Sequence, residues 1–194
     1  MALTRIVYIE GSDVRIERMF IEEGWPLSAD PSEANLICFS GGEDVSPMLY
    51  NEVRSAHTNC NPIRDEKCSN IFYEHYGNIP MVGICRGAQY LNVMSGGSMI
   101  QHIESHIGSH NSILVETGEV IEVTSTHHQM MNPDRTQCEV LLVASEFYED
   151  DEDIEAVYYE ETNSLCYQPH PEYVDEDHPC RKLFFELIEI YLYG

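Results

Sequence analysis

Basic residues are scarce in this 194-residue chain: ten Lys and Arg stand against 34 Asp and Glu, for a formal net charge of −24. A surface this one-sided repels phosphate backbones, which excludes direct nucleic-acid binding as a function class. No apolar run approaches the ~20 residues that a membrane span needs. The opening Met1-Ala-Leu-Thr-Arg5 is not built like a signal peptide, because the apolar stretch to Ile9 is short and leads into charged residues. There is no Cys-x-x-Cys pair and no Asn-x-Ser/Thr acceptor site, and the seven cysteines are odd in number and scattered. The expectation is therefore reduced thiols in a cytoplasmic protein, not a disulfide framework. Internal repeats and low-complexity linkers are also lacking, and with 43% hydrophobic residues and twelve tyrosines the chain reads as one globular domain over residues 1–194.

The acidic residues gather late, in Glu146 to Glu155, Glu160-Glu161 and Asp175-Glu-Asp177. They read as a solvated face that keeps the protein soluble. The alternative is a patch for a basic partner protein, or a mimic of nucleic acid.

Strand and helix patterns alternate through the first half. Arg5 to Glu10 reads as a strand, and Ser12 or Asp13 caps a helix carrying Val14, Ile16, Met19, Phe20 and Ile21 that stops at Gly24. Asn35 to Phe39 is a second buried strand, ended by Ser40-Gly41-Gly42. Pro47 to Pro62 lacks periodicity and reads as loop, Arg64 to Tyr76 as helix, and Met81 to Ile84 as strand followed at once by a helix to Met94. The pattern then turns β-rich: Ser112–Glu116, Glu119–Thr124, Glu139–Ala144, Ile154–Tyr159 and Ser164–Gln168 alternate or run apolar. An amphipathic helix from about His178 to Tyr193 closes the chain. This order predicts a three-layer α/β sandwich with antiparallel additions.

The chemistry concentrates at Gly83-Ile-Cys85-Arg-Gly87, between a buried strand and a helix. Gly-x-Cys-x-Gly in that setting reads as a nucleophile elbow, whose glycines admit a tight, strained turn. The turn presents the Cys85 sulfur at a helix N-terminus, where the dipole and free N–H groups favour a thiolate and can bind an oxyanion. The plain alternative is a buried cysteine in an ordinary strand–helix turn. A cysteine nucleophile needs a base, and the base an orienting group. Tyr167-Gln-Pro-His170-Pro-Glu172 supplies both; in an extended segment His170 and Glu172, two apart, would share a side. His102, His106 and His110 repeat every fourth residue as a helical metal stripe would, but Gly108 and the flanking serines argue against a helix. No metal or other cofactor is expected.

Taken together, these residues give the sequence a plain likeness: it resembles a class I glutamine amidotransferase domain of the Cys-His-Glu type. Within that superfamily it is most similar to the γ-glutamyl-γ-aminobutyrate hydrolase-like branch. The likeness rests on Ser40-Gly-Gly-Glu-Asp44-Val-Ser-Pro47-x-x-Tyr50 followed by Arg64-Asp65, on Gly83 to Val93 with Gly96-Gly97-Ser98, on Ser125-Thr-His-His-Gln129 and on His170-Pro-Glu172. It departs from the branch at Pro169, where an aromatic residue is usual, in its short N-terminal segment and in the abbreviated stretch between Ile103 and Ser112. The resemblance implies a flavodoxin-like fold with a central, mostly parallel sheet, Cys85 as nucleophile, His170 as base and Glu172 as its orienter. It also implies backbone N–H groups of Gly42 and Arg86 as the oxyanion hole, and Gly41, Gln89, His127, His128 and Gln129 around the substrate. The implied reaction is hydrolysis of a γ-glutamyl amide, of glutamine or a γ-glutamyl amine, through a γ-glutamyl thioester. Two alternatives stand beside it: a glutaminase subunit supplying ammonia to a separate ligase or synthetase, and a catalytically idle acidic binding protein on the same scaffold.

Overall fold

The computed structural model describes residues 5–11, 13–103, 107–146 and 153–194. In chain order these form β1 (Val7–Glu10), α1 (Val14–Glu22), β2 (Leu27–Ser28), β3 (Leu36–Phe39), α2 (Pro62–His75), β4 (Met81–Ile84), α3 (Arg86–Met94), β5 (Ser98–Ile100), β6 (Ile107–Leu114), β7 (Val120–Thr126), β8 (Met130–Asn132), β9 (Glu139–Ala144), β10 (Ile154–Tyr159), β11 (Ser164–Tyr167) and α4 (Pro179–Leu187). The short apolar runs pair because burial on both faces is what such runs require. The result is one sheet in the order β2-β1-β3-β4-β11-β10-β9-β6-β7. Its first five strands are mutually parallel and the remaining pairings are antiparallel.

Alternate residues of β3 separate the core into two layers. Leu36 and Cys38 join the cluster holding Ile16, Met19 and Phe20 of α1 and Leu183 and Phe184 of α4. Ile37 and Phe39 join the one holding Cys68, Ile71 and Phe72 of α2 and Ala88 and Leu91 of α3. Helices thus cover both faces, giving the flavodoxin-like three-layer sandwich. The single tryptophan, Trp25, is buried in the α1/α4 layer, its ring 5.6 Å from Phe20 and 5.9 Å from Phe185. No helix among the described residues is long and apolar enough to cross a membrane.

Several boundaries differ from the sequence reading. Asp13 caps α1, accepting the Arg15 N–H at 2.9 Å; Ser12 lies outside the described residues. β6 begins at Ile107, five residues before the expected Ser112. Its first half is largely exposed, so no apolar alternation marks it. His110 lies in that strand, so no helical histidine stripe runs through it; His106 is outside the described residues. β8 has no counterpart in the sequence pattern and pairs only with β5. α4 gives way at Ile188 to a π-helical turn through Leu192. Residues 147–152 of the acidic stretch also fall outside the described residues, but Asp153 and Glu155 beside them are buried, not solvated.

α3 lies deep against the sheet because its first turn carries glycine. A Cβ on Gly87 would stand 1.9 Å from the Phe39 carbonyl oxygen, and one on Gly83 2.3 Å from the Gly87 carbonyl. Gly87→Ala should therefore destabilise the fold by about 3 kcal/mol, the upper end of ordinary overpacking, as measured by urea unfolding. Gly118→Ala meets no atom within 4 Å of its added Cβ and should lose less, only the roughly 1–2 kcal/mol of placing a side chain at φ 73°.

Candidate active site

Three neighbouring parallel strands, β3, β4 and β11, end side by side, with Phe39 opposite Gly83 and Ile84 opposite Tyr167. The segments leaving their carboxyl ends are Ser40-Gly41-Gly42, Cys85 and the turn through His170. Open α/β sheets place ligands at such edges. Cys85 adopts φ 53° and ψ −109°, a left-handed conformation costing on the order of 1–3 kcal/mol for a residue with a side chain. Its N–H is held by the Tyr167 carbonyl at 3.0 Å, and its carbonyl accepts the Gln89 N–H at 3.0 Å, starting α3. A methyl group on Gly41 would sit 3.4 Å from His170 Cε1 and 3.8 Å from Cys85 Cβ, so Cys85 and His170 flank the same glycine.

His170 and Glu172 meet, but not through an extended segment. His170 enters a 3-10 turn over Pro171–Tyr173, and its Nδ1 lies 2.6 Å from Glu172 Oε1. The turn is anchored by the His170 N–H donating to the Thr124 carbonyl at 2.8 Å. Nε2 lies 2.9 Å from Thr126 Oγ1, and the Tyr173 ring stacks parallel on the imidazole at 4.3 Å. Burial alone would disfavour the imidazolium. Hydrogen bonds with Cys85 and Glu172, and their negative charges, outweigh it and push His170 up to about 11.

The cleft over these residues holds about 370 Å³ and is bordered by all five expected substrate-side residues. Their side chains are differently engaged. His128 is the most open, 42% exposed, with Nε2 3.1 Å from Asp44 Oδ1. The Gln129 amide donates to Thr58 Oγ1 at 3.1 Å and to the Gln101 carbonyl at 3.0 Å. Gln89 donates to the Gln129 carbonyl at 3.1 Å and Gln168 Oε1 at 3.2 Å. His127 turns inward: Nδ1 is 2.9 Å from the Gln129 carbonyl, and Nε2 is 3.8 Å from the buried Glu155 carboxylate. His110 stands 3.2 Å from that same carboxylate oxygen. Burial would raise the Glu155 pKa, but the two histidines bring it down to about 2.

Thr126 and Tyr173 were not identified from sequence as neighbours of His170. Thr126 sits inside the Ser125–Gln129 stretch and Tyr173 directly follows Glu172, so adjacency was the only available signal. Among the described residues, no three His, Cys, Asp or Glu side chains are grouped to hold a metal ion.

The raised His170 pKa has a definite sign. Between its ordinary 6.5 and about 11 the folded chain keeps a proton that the unfolded chain releases, so this stabilisation is full below pH 6.5 and is lost as pH rises through 11. Unfolding curves of the wild type and His170→Gln should converge across that window. In Cys85→Ala the His170 ring signals in NMR should titrate at a lower pH. An unchanged titration would contradict the coupling.

Comparison with known proteins gives a consistent answer. The Peptidase C26 family model matches residues 32–117. A glutamine amidotransferase-like protein of Lactococcus lactis, YvdE, is 33% identical over 173 residues, covering 78% of this chain and 71% of that protein. The carbamoyl phosphate synthase small chain of Vibrio cholerae is 24% identical over 95% of this chain, which spans only 47% of that relative's length. Among solved structures, a GMP synthase component from Thermoplasma acidophilum shares the fold with a TM-score of 0.70 at 19% identity, covering 98% of this chain and 95% of that one. With that fold, a Gly-x-Cys-x-Gly elbow beside a His-Glu pair and a relative matched along most of its length, the chain belongs to the class I glutamine amidotransferase superfamily.

Proposed function

We propose that residues 1–194 act as a single cysteine-dependent hydrolase domain for γ-glutamyl amides, free-standing and cytoplasmic. The observation that carries this reading is the convergence of Cys85, His170 and Glu172 on one cleft beside Gly41-Gly42. In the proposed reaction the Cys85 thiolate attacks the γ-carbonyl carbon, and the resulting oxyanion takes hydrogen bonds from Gly42 N–H and Arg86 N–H. Each such donor is typically worth about 3–4 kcal/mol. Collapse breaks the C–N bond while His170 protonates the departing amine. His170 then takes a proton from water, which adds to the thioester and releases glutamate and the thiol. The side chain at φ 53° counts against an idle scaffold, because folding alone would be served better by glycine at position 85.

The cleft also bears on the substrate. Asp13, Glu43 and Asp44 border it, and no lysine or arginine does among the described residues. With the −24 net charge, this favours a γ-glutamyl amine with a cationic leaving group, drawn in by a field that salt screens. The similarity to a carbamoyl phosphate synthase small chain supports the second reading, a glutaminase subunit that passes ammonia to a synthetase.

Cys85→Ala should abolish both turnover and the acid-trapped thioester, with Glu172→Gln retaining more activity than His170→Ala. Assays on glutamine and on several γ-glutamyl amines, at low and high salt, separate the readings. Salt-sensitive amine cleavage by the purified chain supports the hydrolase, and activity only with an added synthetase supports the ammonia-supplying role. A glutamine-like electrophile should label Cys85 ahead of the other cysteines. Burial pushes Cys38 and Cys166 well up, and Cys68 and Cys180 to about 11. Even labelling over all seven would argue against an activated nucleophile.

A further inference from the structure

Two consecutive residues near the start of α2 grip opposite sides of the cleft. Arg64 Nη1 donates to the Gly41 carbonyl at 2.9 Å, and Nη2 donates to the Ser40 carbonyl at 3.1 Å and Ser40 Oγ at 3.0 Å. Glu10 at 3.2 Å and Glu43 at 3.3 Å balance its charge. Asp65 pairs with the Arg86 guanidinium through one oxygen and accepts the Ser46 N–H at 3.2 Å through the other. The Arg86 side chain is almost wholly buried, further fixed by Cys68 Sγ at 3.1 Å and by the Tyr90 ring at 5.0 Å.

Peptide geometry converts these grips into an aim. In a planar trans peptide the C=O and N–H point in opposite directions. A Gly41 carbonyl drawn toward Arg64 therefore turns the Gly42 N–H away from α2. The Cα face of Gly41 meanwhile looks at Cys85 and His170. Gly42 itself, at φ 145°, leaves no room for a side chain, since a Cβ there would stand 2.0 Å from Arg64 Nη1. On the other side, Arg86 is the first residue of α3 and follows Cys85 directly. Anchoring its side chain fixes the peptide whose N–H faces the sulfur's end of the helix.

We propose that Arg64 and Asp65 are positioning residues, one for each half of the oxyanion hole: Arg64 aims the Gly42 N–H and Asp65, through Arg86, aims the Arg86 N–H. The assignment deepens the hydrolase reading above and rests on it for the identity of the oxyanion, but not for that of the substrate.

The test compares two reactions of the same thiol in the full-length chain. Acylation by p-nitrophenyl acetate passes through a tetrahedral oxyanion; alkylation by iodoacetamide does not. In Arg64→Met the acylation rate should fall about tenfold or more while alkylation stays within about twofold, so their ratio drops. Asp65→Asn should lower the ratio similarly, and the double variant should lower it further than either alone, though not by the full product, because the two residues are neighbours. Arg64→Lys, which keeps the charge beside Glu10 but cannot fork between two carbonyls, should lose less, and it carries the comparison should Arg64→Met fail to fold. A ratio equal to wild type in the folded variants would overturn the proposal, because a merely structural defect would slow both reactions together. A reduced ratio in a protein that cleaves no γ-glutamyl compound would instead leave the positioning role standing and remove the substrate assignment.

Discussion

The contact on which the cleft depends is the seating of α3 on β3, where Gly87 lies directly over the Phe39 carbonyl. Without a side chain in that place the helix sinks until its first turn is level with the strand ends. The chain leaving β4 then has a single residue in which to reverse from strand to helix, and Cys85 takes the left-handed conformation that this requires. Cys85 then lines the same cleft as Gly41 and Gly42 after β3 and His170 after β11. The strain at one residue is a direct result of close packing two residues later.

A buried polar frame lies around this turn. Among only ten basic residues in the chain, Arg64 and Arg86 are committed to side-chain and carbonyl contacts inside the molecule. Buried ion pairs contribute little net stability against well-packed apolar residues, but they impose direction on the groups they hold. That property suits the oxyanion hole proposed above, whose donors are backbone N–H groups that cannot be re-aimed by choosing another rotamer.

Much of this was legible in the sequence where local pattern and burial coincide. β10 has the expected bounds, Ile154 to Tyr159, and β4 and the elbow lie where the Gly-x-Cys-x-Gly spacing put them. The parts that could not be read depend on partners distant in the chain. His170 and Glu172 meet because a 3-10 turn folds them together, whereas their two-residue spacing suggested an extended segment. His127 and His128 are adjacent, yet one faces the buried Glu155 and the other the Asp44 carboxylate; tertiary packing chooses between them. Thr126 reaches His170 across 44 positions, and a single threonine in an edge strand advertises nothing.

The location of the one tryptophan has an optical consequence. Trp25 sits among Phe20, Phe185 and Tyr193, in the layer of α1 and α4, and does not border the cleft lined by Cys85 and His170. Its emission therefore reports whether the two terminal helices are docked on the sheet. Acylation of Cys85 or a proton moving on His170 leaves that indole in the same surroundings. Intrinsic fluorescence is thus a probe of folding in this protein that is largely blind to events in the cleft, and an indole placed at Tyr173, against the His170 imidazole, would make that imidazole visible.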